Sequence, residues 1–243
     1  MRTCDRRDLH GFAPCTTARA LVILLILAMT SPVSSAQHHE HGHQHAKNGE
    51  NASNQHMQRS STAELITRFE SPERDAYQQP QKVLAYLGEL KGKRIMDIGA
   101  GSGYFSVKLA AQGAQVIAAD VNEEFLAHIN ERIAQEGLKN IETRKIPYDA
   151  PGLDKGEVDM VLIVNTYHHI EDRTAYFAKV KNGTTADGEL VVIDFFKADV
   201  PVGPPVGHKV SIDEVIAELK QSGYTAFAVE VALLPYQYIV RAR

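Results

Sequence analysis

From residue 62 onward, short unbroken apolar runs alternate with stretches in which apolar residues recur every three or four positions. The first pattern predicts strands buried on both faces and the second predicts amphipathic helices. Arg94–Ile98, Gln115–Ala119, Ile141–Lys145, Val158–Val164 and Glu189–Phe195 read as strands. Helices are predicted over Ala63–Phe69, from Pro80 through Val83, Leu84 and Leu87, over Tyr104–Gln112, after Asn122, and over Asp172–Val180. Pro80 suits a first helical turn, and Asn122 can cap the N–H groups of a helix whose first turn carries Glu123 and Glu124. Phe125, Ile129 and Ile133 then mark one face. Ser211 and Glu214 form a capping-box pair opening a further helix that Gly223 closes. Two last strands, Ala226–Leu233 and Tyr236–Arg241, are separated by Leu234-Pro235 alone. So short a connection permits an antiparallel hairpin and forbids a parallel crossover. The pattern predicts an α/β fold: a doubly wound, mostly parallel, seven-stranded sheet whose last strand is antiparallel.

The first 61 residues follow neither pattern. Arg2, Arg6, Arg7 and Arg19 precede an apolar run, Ala20–Met29, and Ser34-Ser35-Ala36 supplies a small-x-small cut. This is the pattern of a secretory signal peptide over 1–36; the run is too short for the roughly 20 residues of a spanning helix. An uncleaved anchor and a twin-arginine signal at Arg6-Arg7 are the alternatives. Residues 37–61 read as a disordered polar linker, with five histidines (His38, His39, His41, His43, His45) at spacings that suit weak binding of a divalent metal. The folded domain is then 62–243. Cys4 and Cys15 both precede the cut, so the mature chain has no disulfide. A periplasmic or secreted location follows, with a cytoplasmic one if the start site lies further in. No stable membrane anchor is expected after cleavage. The net charge of −4 excludes a general nucleic-acid binder, which needs a basic surface.

Chemistry belongs at the carboxyl ends of the strands, where the sheet order reverses. There the chain reads Asp97-Ile-Gly-Ala-Gly-Ser-Gly103, and Asp120 stands 21 residues beyond Gly99 at the next strand end. A carboxylate so placed can accept both hydroxyls of a ribose. Glycine spacing departs from the dinucleotide fingerprint, since Ser106 falls where its third glycine belongs.

With these residues the sequence, over roughly 70–243, resembles the class I S-adenosylmethionine-dependent methyltransferases. The resemblance implies that Asp97, Gly99, Ala100, Gly101 and Gly103 wrap the methionine part of S-adenosylmethionine and that Asp120 holds its ribose. It also implies that Asp149, in Asp149–Leu153, borders the adenine and that Asn165 opens the loop after the fourth strand. Glu73–Pro80 is similar to a segment that lies over the cofactor in one bacterial subgroup. Asn182–Gly188 stands where the family has a shorter turn, and is expected to be a turn away from the cofactor. Asn165-Thr-Tyr167 lacks the prolines associated with methylation of nucleobase amines.

Methyl transfer from a sulfonium needs donor and acceptor aligned and one base. His168 and His169 follow a buried strand and are the candidates for that base, with His208 on a Pro/Gly-rich connection as a third residue facing the acceptor. No carboxylate spacing makes these histidines a metal site, and none is assigned. Asp194 ends the fifth strand. The expected function is methyl transfer from S-adenosylmethionine to a small-molecule acceptor. The alternatives are an exported metal-binding protein that keeps the fold without activity, and an NAD-dependent oxidoreductase.

Overall fold

The computed structural model describes residues 52–57 and 59–243. Four short helices open it: α1 (Ala52–Met57), α2 (Thr62–Phe69), α3 (Pro72–Gln78) and α4 (Pro80–Leu87). Ser61 caps α2, its Oγ accepting from the Glu64 N–H at 3.3 Å while the Glu64 carboxylate accepts from the Ser61 N–H at 2.9 Å. Pro80 separates α3 from α4, because the residue before a proline is pushed out of the right-handed helical region; Gln79 is left-handed there, at φ 43°.

Strands and helices then alternate: β1 (Arg94–Ile98), α5 (Tyr104–Ala111), β2 (Gln115–Asp120), α6 (Glu123–Glu136), β3 (Ile141–Lys145) and β4 (Val158–Val164). After a 3₁₀ turn at Tyr167–His169 come α7 (Arg173–Gly183) and β5 (Thr184–Phe195). A second 3₁₀ turn at Val206–His208 leads to α8 (Ile212–Gln221), β6 (Phe227–Glu230) and β7 (Gln237–Ala242). The sheet order is β3-β2-β1-β4-β5-β7-β6. The first five strands are parallel, and β7 pairs antiparallel with both β5 and β6.

Each central strand feeds two cores. Ile95, Met160, Leu162, Val191 and Ile239 pack with Val83, Leu87, Leu109 and Ile129 on one face. Met96, Ile98, Val161, Ile163 and Val192 pack with Tyr167, Phe177 and Leu219 on the other. Burial on both faces is why the strands read as continuous apolar runs.

Three expectations need revising. The segment 182–188 is no turn: α7 runs to Gly183, and β5 begins at Thr184, which pairs with Val158 after a register shift. Pairing resumes at Glu189 opposite Met160, so residues 185–188 form an irregularity within the strand and not a separate connection. The first strand of the hairpin ends at Glu230, whose side chain accepts from the N–H groups of Ala232 and Leu233 and so bends the chain away. β7 lies inside the sheet, between β5 and β6, and the Tyr238 hydroxyl donates to the Val210 carbonyl at 3.0 Å. Finally, Ala52–Met57 is a helix within the segment expected to be a disordered linker. Polar composition hid it, because its docking is by hydrogen bonds. Among the described residues no helix is long and apolar enough to cross a membrane. The signal-peptide residues, both cysteines and His38, His39, His41, His43 and His45 lie outside the described residues.

Candidate active site

Between β1 and β4 the sheet order reverses, and a cleft of about 640 Å³ opens there at the strands' carboxyl ends. That volume lies within the roughly 300–1,000 Å³ typical of small-molecule sites. Its floor is the turn after β1. The N–H groups of Gly99 and Ala100 both donate to the Ala119 carbonyl, at 2.9 and 3.0 Å, which ties the turn to β2. Gly99 sits at φ 72°, and a Cβ there would lie 2.4 Å from the Thr166 hydroxyl oxygen. At Gly101, φ 55°, a Cβ would point at the Phe69 ring, 3.2 Å away. Gly99, Ala100 and Gly101 line the cleft. Gly103 instead caps α5 and packs on Ile129, so it shapes the turn from behind.

Asp120, at the end of β2, is buried and lines the cleft. Its two oxygens accept from the N–H groups of Gly101 and Asn122, both at 2.9 Å. Each carboxylate oxygen has a second lone pair, so these bonds leave capacity for two ligand hydroxyls. Burial raises its pKa, against backbone hydrogen bonds that lower it. Asp97 lies beneath the glycine turn, 3% exposed, with its Oδ2 accepting from the Ser106 hydroxyl at 2.7 Å. Burial pushes its pKa up to about 6, opposed by that hydrogen bond and by the Arg74 guanidinium.

The opposite wall of the cleft is built on the loop after β4. Asn165, left-handed at φ 57°, has its side chain occupied: its amide donates to Gln78 Oε1 at 3.3 Å and its carbonyl accepts from Gln237 Nε2 at 2.5 Å. It therefore joins the cleft wall to α3 and β7. His168 is buried, lines the cleft, and places Nδ1 2.9 and 3.0 Å from the two oxygens of Asp194. Asp194, fully buried at the end of β5, also accepts from the Phe195 N–H at 2.8 Å. An ionised carboxylate only accepts, so Nδ1 is the donor in this pair; in the neutral ring Nε2 then carries the lone pair.

His169 also lines the cleft, its ring 4.3 Å from that of His168. It is engaged with α1: Nδ1 lies 2.9 Å from Asn54 Oδ1, and the Asn54 amide donates to the His169 carbonyl at 3.2 Å. His208 lies in the lining too, on the connection that packs Gly203 against the Phe195 ring. Asp149 is exposed and outside the lining; after β3 the chain presents Ile146, Pro147 and Tyr148 to the cleft instead. Among the described residues no group of three or more His, Cys, Asp or Glu side chains is placed to hold a metal ion.

Several lining residues were not singled out in the sequence. Phe69 and Phe125 stack at 5.9 Å beside the glycine turn, and Arg74 and Tyr77 of α3 line the cleft near them. Glu73–Pro80 had marked α3 as a cofactor-side segment, without naming which side chains face inward. Asn54 and Met57 of α1 had no signal at all.

This arrangement fits an adenosine bearing an amino acid. A bare backbone turn faces the cleft, a buried carboxylate with spare acceptor capacity stands one strand away, and aromatic rings flank both. A model of the methyltransferase domain family matches residues 95–188. Among solved structures, an S-adenosylmethionine-dependent methyltransferase from Aquifex aeolicus is 27% identical with a TM-score of 0.70, covering 75% of this chain and 98% of that one. The ubiquinone biosynthesis O-methyltransferase of Acinetobacter baumannii is 34% identical over 86 residues, 35% of this chain and 36% of that protein. The tRNA U34 carboxymethyltransferase of Dichelobacter nodosus is 27% identical over 112 residues, 46% of this chain and 36% of that protein. The chain thus spans little more than a third of the length of these two curated relatives. Glycine turn, strand order and family model together support a methyltransferase domain of the class I S-adenosylmethionine-dependent type in this chain.

Proposed function

We propose that this chain transfers a methyl group from S-adenosylmethionine to a hydroxyl or comparable protonated nucleophile on a small molecule. The observation that carries the proposal is that the glycine turn, Asp120 and His168, the last held from behind by Asp194, all border one cleft. S-adenosylmethionine supplies the electrophilic methyl carbon, already activated on a sulfonium. The chain's own work is to bind, align and deprotonate. Asp120 accepts the ribose hydroxyls, while Phe69, Phe125 and the backbone of Gly99–Gly101 close around the donor side and exclude water. His168, held by Asp194 in the tautomer with Nε2 unprotonated, takes the acceptor's proton as the nucleophile attacks. Asp194 stabilises the imidazolium that forms. His169 and His208 line the acceptor side.

The first test is calorimetry of the whole chain with S-adenosylmethionine and, separately, with NAD. Incubation with methyl-labelled donor and a small-molecule extract follows, scored for labelled products by mass spectrometry. Donor binding and labelled products are expected; binding of NAD with no binding of the sulfonium donor overturns the reading. We also propose that residues 1–36 direct export and that residues 38–45 bind metal weakly. Fractionation of cells producing the whole chain, and metal titration of a peptide covering 37–61, test these separately.

A further inference from the structure

The wall of the cleft that carries His168 is built largely of rings and apolar side chains. Tyr77 of α3 lies 6.0 Å from Phe195, and Gly203, at φ 93°, packs so closely on the same ring that a Cβ there would stand 2.8 Å from it. Phe195 follows Asp194, which holds His168, and the His168 ring lies 4.3 Å from that of His169. Pro201, Val202, Pro204, Ile170 and Met57 add apolar lining. A flat, apolar body fits such a surface.

The charges around this wall are mostly positive. Arg68 and Arg74 line the cleft, and neither forms an ion pair with a carboxylate among the described residues; Arg68 Nη2 lies 3.9 Å from the Met57 sulfur. The Lys209 ammonium stands 5.9 Å from the Phe195 ring and donates to the Ala198 carbonyl at 2.7 Å. The carboxylates in the lining are Asp120, bonded to the glycine turn, and Glu73, exposed in the first turn of α3. Asp194 is already engaged by His168. A bound sulfonium adds one more positive charge. An acceptor bearing an ammonium therefore meets repulsion here, while an oxygen that turns anionic is stabilised.

The strength of the base narrows the choice further. A phenol, at about 10, lies roughly 3.5 pKa units above an imidazole at about 6.5, a gap that proton transfer during attack can bridge. An aliphatic alcohol, close to water at about 16, lies roughly 9 above it. A carboxylic acid, at about 4, is already ionised and has no use for the His168–Asp194 pair.

We propose that the acceptor is a phenol, its ring against Phe195 and Tyr77 and its hydroxyl at His168. This rests on the methyltransferase reading and names the substrate class of the same cleft. The phenol oxygen forms a bond to the methyl carbon as the carbon–sulfur bond breaks and its electron pair returns to sulfur. The hydroxyl proton passes to His168 Nε2 and from there to water. The products are an aryl methyl ether and S-adenosylhomocysteine.

The test uses the full-length chain, methyl-labelled S-adenosylmethionine and four probes that share a benzene ring and two further carbons. 4-Ethylphenol offers a phenol, 2-phenylethanol an alcohol, 2-phenylethylamine an ammonium and phenylacetate a carboxylate. The kcat/KM for 4-ethylphenol is expected to exceed each of the others at least hundredfold, with the ether identified by mass spectrometry. A second comparison asks whether His168 removes the proton. 4-Nitrophenol is already ionised at pH 8, so His168→Ala is expected to lower kcat at least hundredfold with 4-ethylphenol and less than tenfold with 4-nitrophenol, which also shows that the variant is folded. Another probe within tenfold of 4-ethylphenol, or equal losses with the two phenols, overturns the proposal. So does donor binding with no methylation of 4-ethylphenol. Failure of the sulfonium donor to bind wild type by calorimetry refutes the methyltransferase reading itself, a separate outcome.

Discussion

Replacing Asp97 by Asn is expected to make the unliganded protein more stable. Its carboxyl is held at about 6 against the ordinary 3.8, with burial the main cause. An acid that binds its proton more tightly when folded favours folding when protonated. Its contribution is fully present below pH 3.8 and is lost as the pH rises through about 6. Two pH units at 1.36 kcal/mol each set the cost of the ionised group at neutral pH at about 3 kcal/mol. Asp97→Asn keeps an oxygen to accept from Ser106 and removes that cost. Urea denaturation of both proteins should show the variant ahead by up to about 3 kcal/mol at pH 8, with the gap closing towards pH 4. Comparing the two proteins cancels the other titrating groups. A gap that does not change between pH 4 and pH 8, or a variant less stable at pH 8, refutes the assignment of Asp97 as a strained, buried carboxylate.

Three further outcomes are expected. Asp120→Ala should weaken S-adenosylmethionine by about 1.5–3 kcal/mol, the scale of lost hydrogen bonds to a charged group, read by calorimetry; unchanged affinity removes the ribose assignment. His168→Ala should lower kcat by about 10²–10⁴ with donor affinity intact, and Asp194→Asn should lower kcat less, with an altered pH profile; full activity in both excludes the pair from proton transfer. Gly99→Ala places a methyl 2.4 Å from Thr166 Oγ1 at φ 72°, and thermal denaturation should show a loss of roughly 1–3 kcal/mol; an unshifted melting curve shows that the two loops are not packed as described.

Much of this architecture is legible in the residues because local and long-range preferences agree. Val158–Val164 is apolar apart from Asp159 and is buried on both faces; Asn122 has cap chemistry, and its Oδ1 does accept from the Glu124 N–H at 2.8 Å. The donor turn is visible because a close-packed backbone leaves glycine few substitutes. What the sequence hides is whatever depends on partners far along the chain. The Asn54–His169 contact spans 115 positions, and the His168–Asp194 pair spans 26. Arg74 looks like one more charge on a polar helix until the fold lays it over Tyr104. Asp149 and Tyr148 are neighbours, and only the direction of the chain leaving β3 decides which of them meets the cleft.

The two hydrogen bonds between Asn54 and His169 give the short first helix a role out of proportion to its length. Through Met57 and on into Leu65 and Phe69, the same upstream ribbon walls the cavity from the loop after β4 round to the glycine turn. Removing everything before residue 70 would therefore take away one wall of the cleft and open it to solvent.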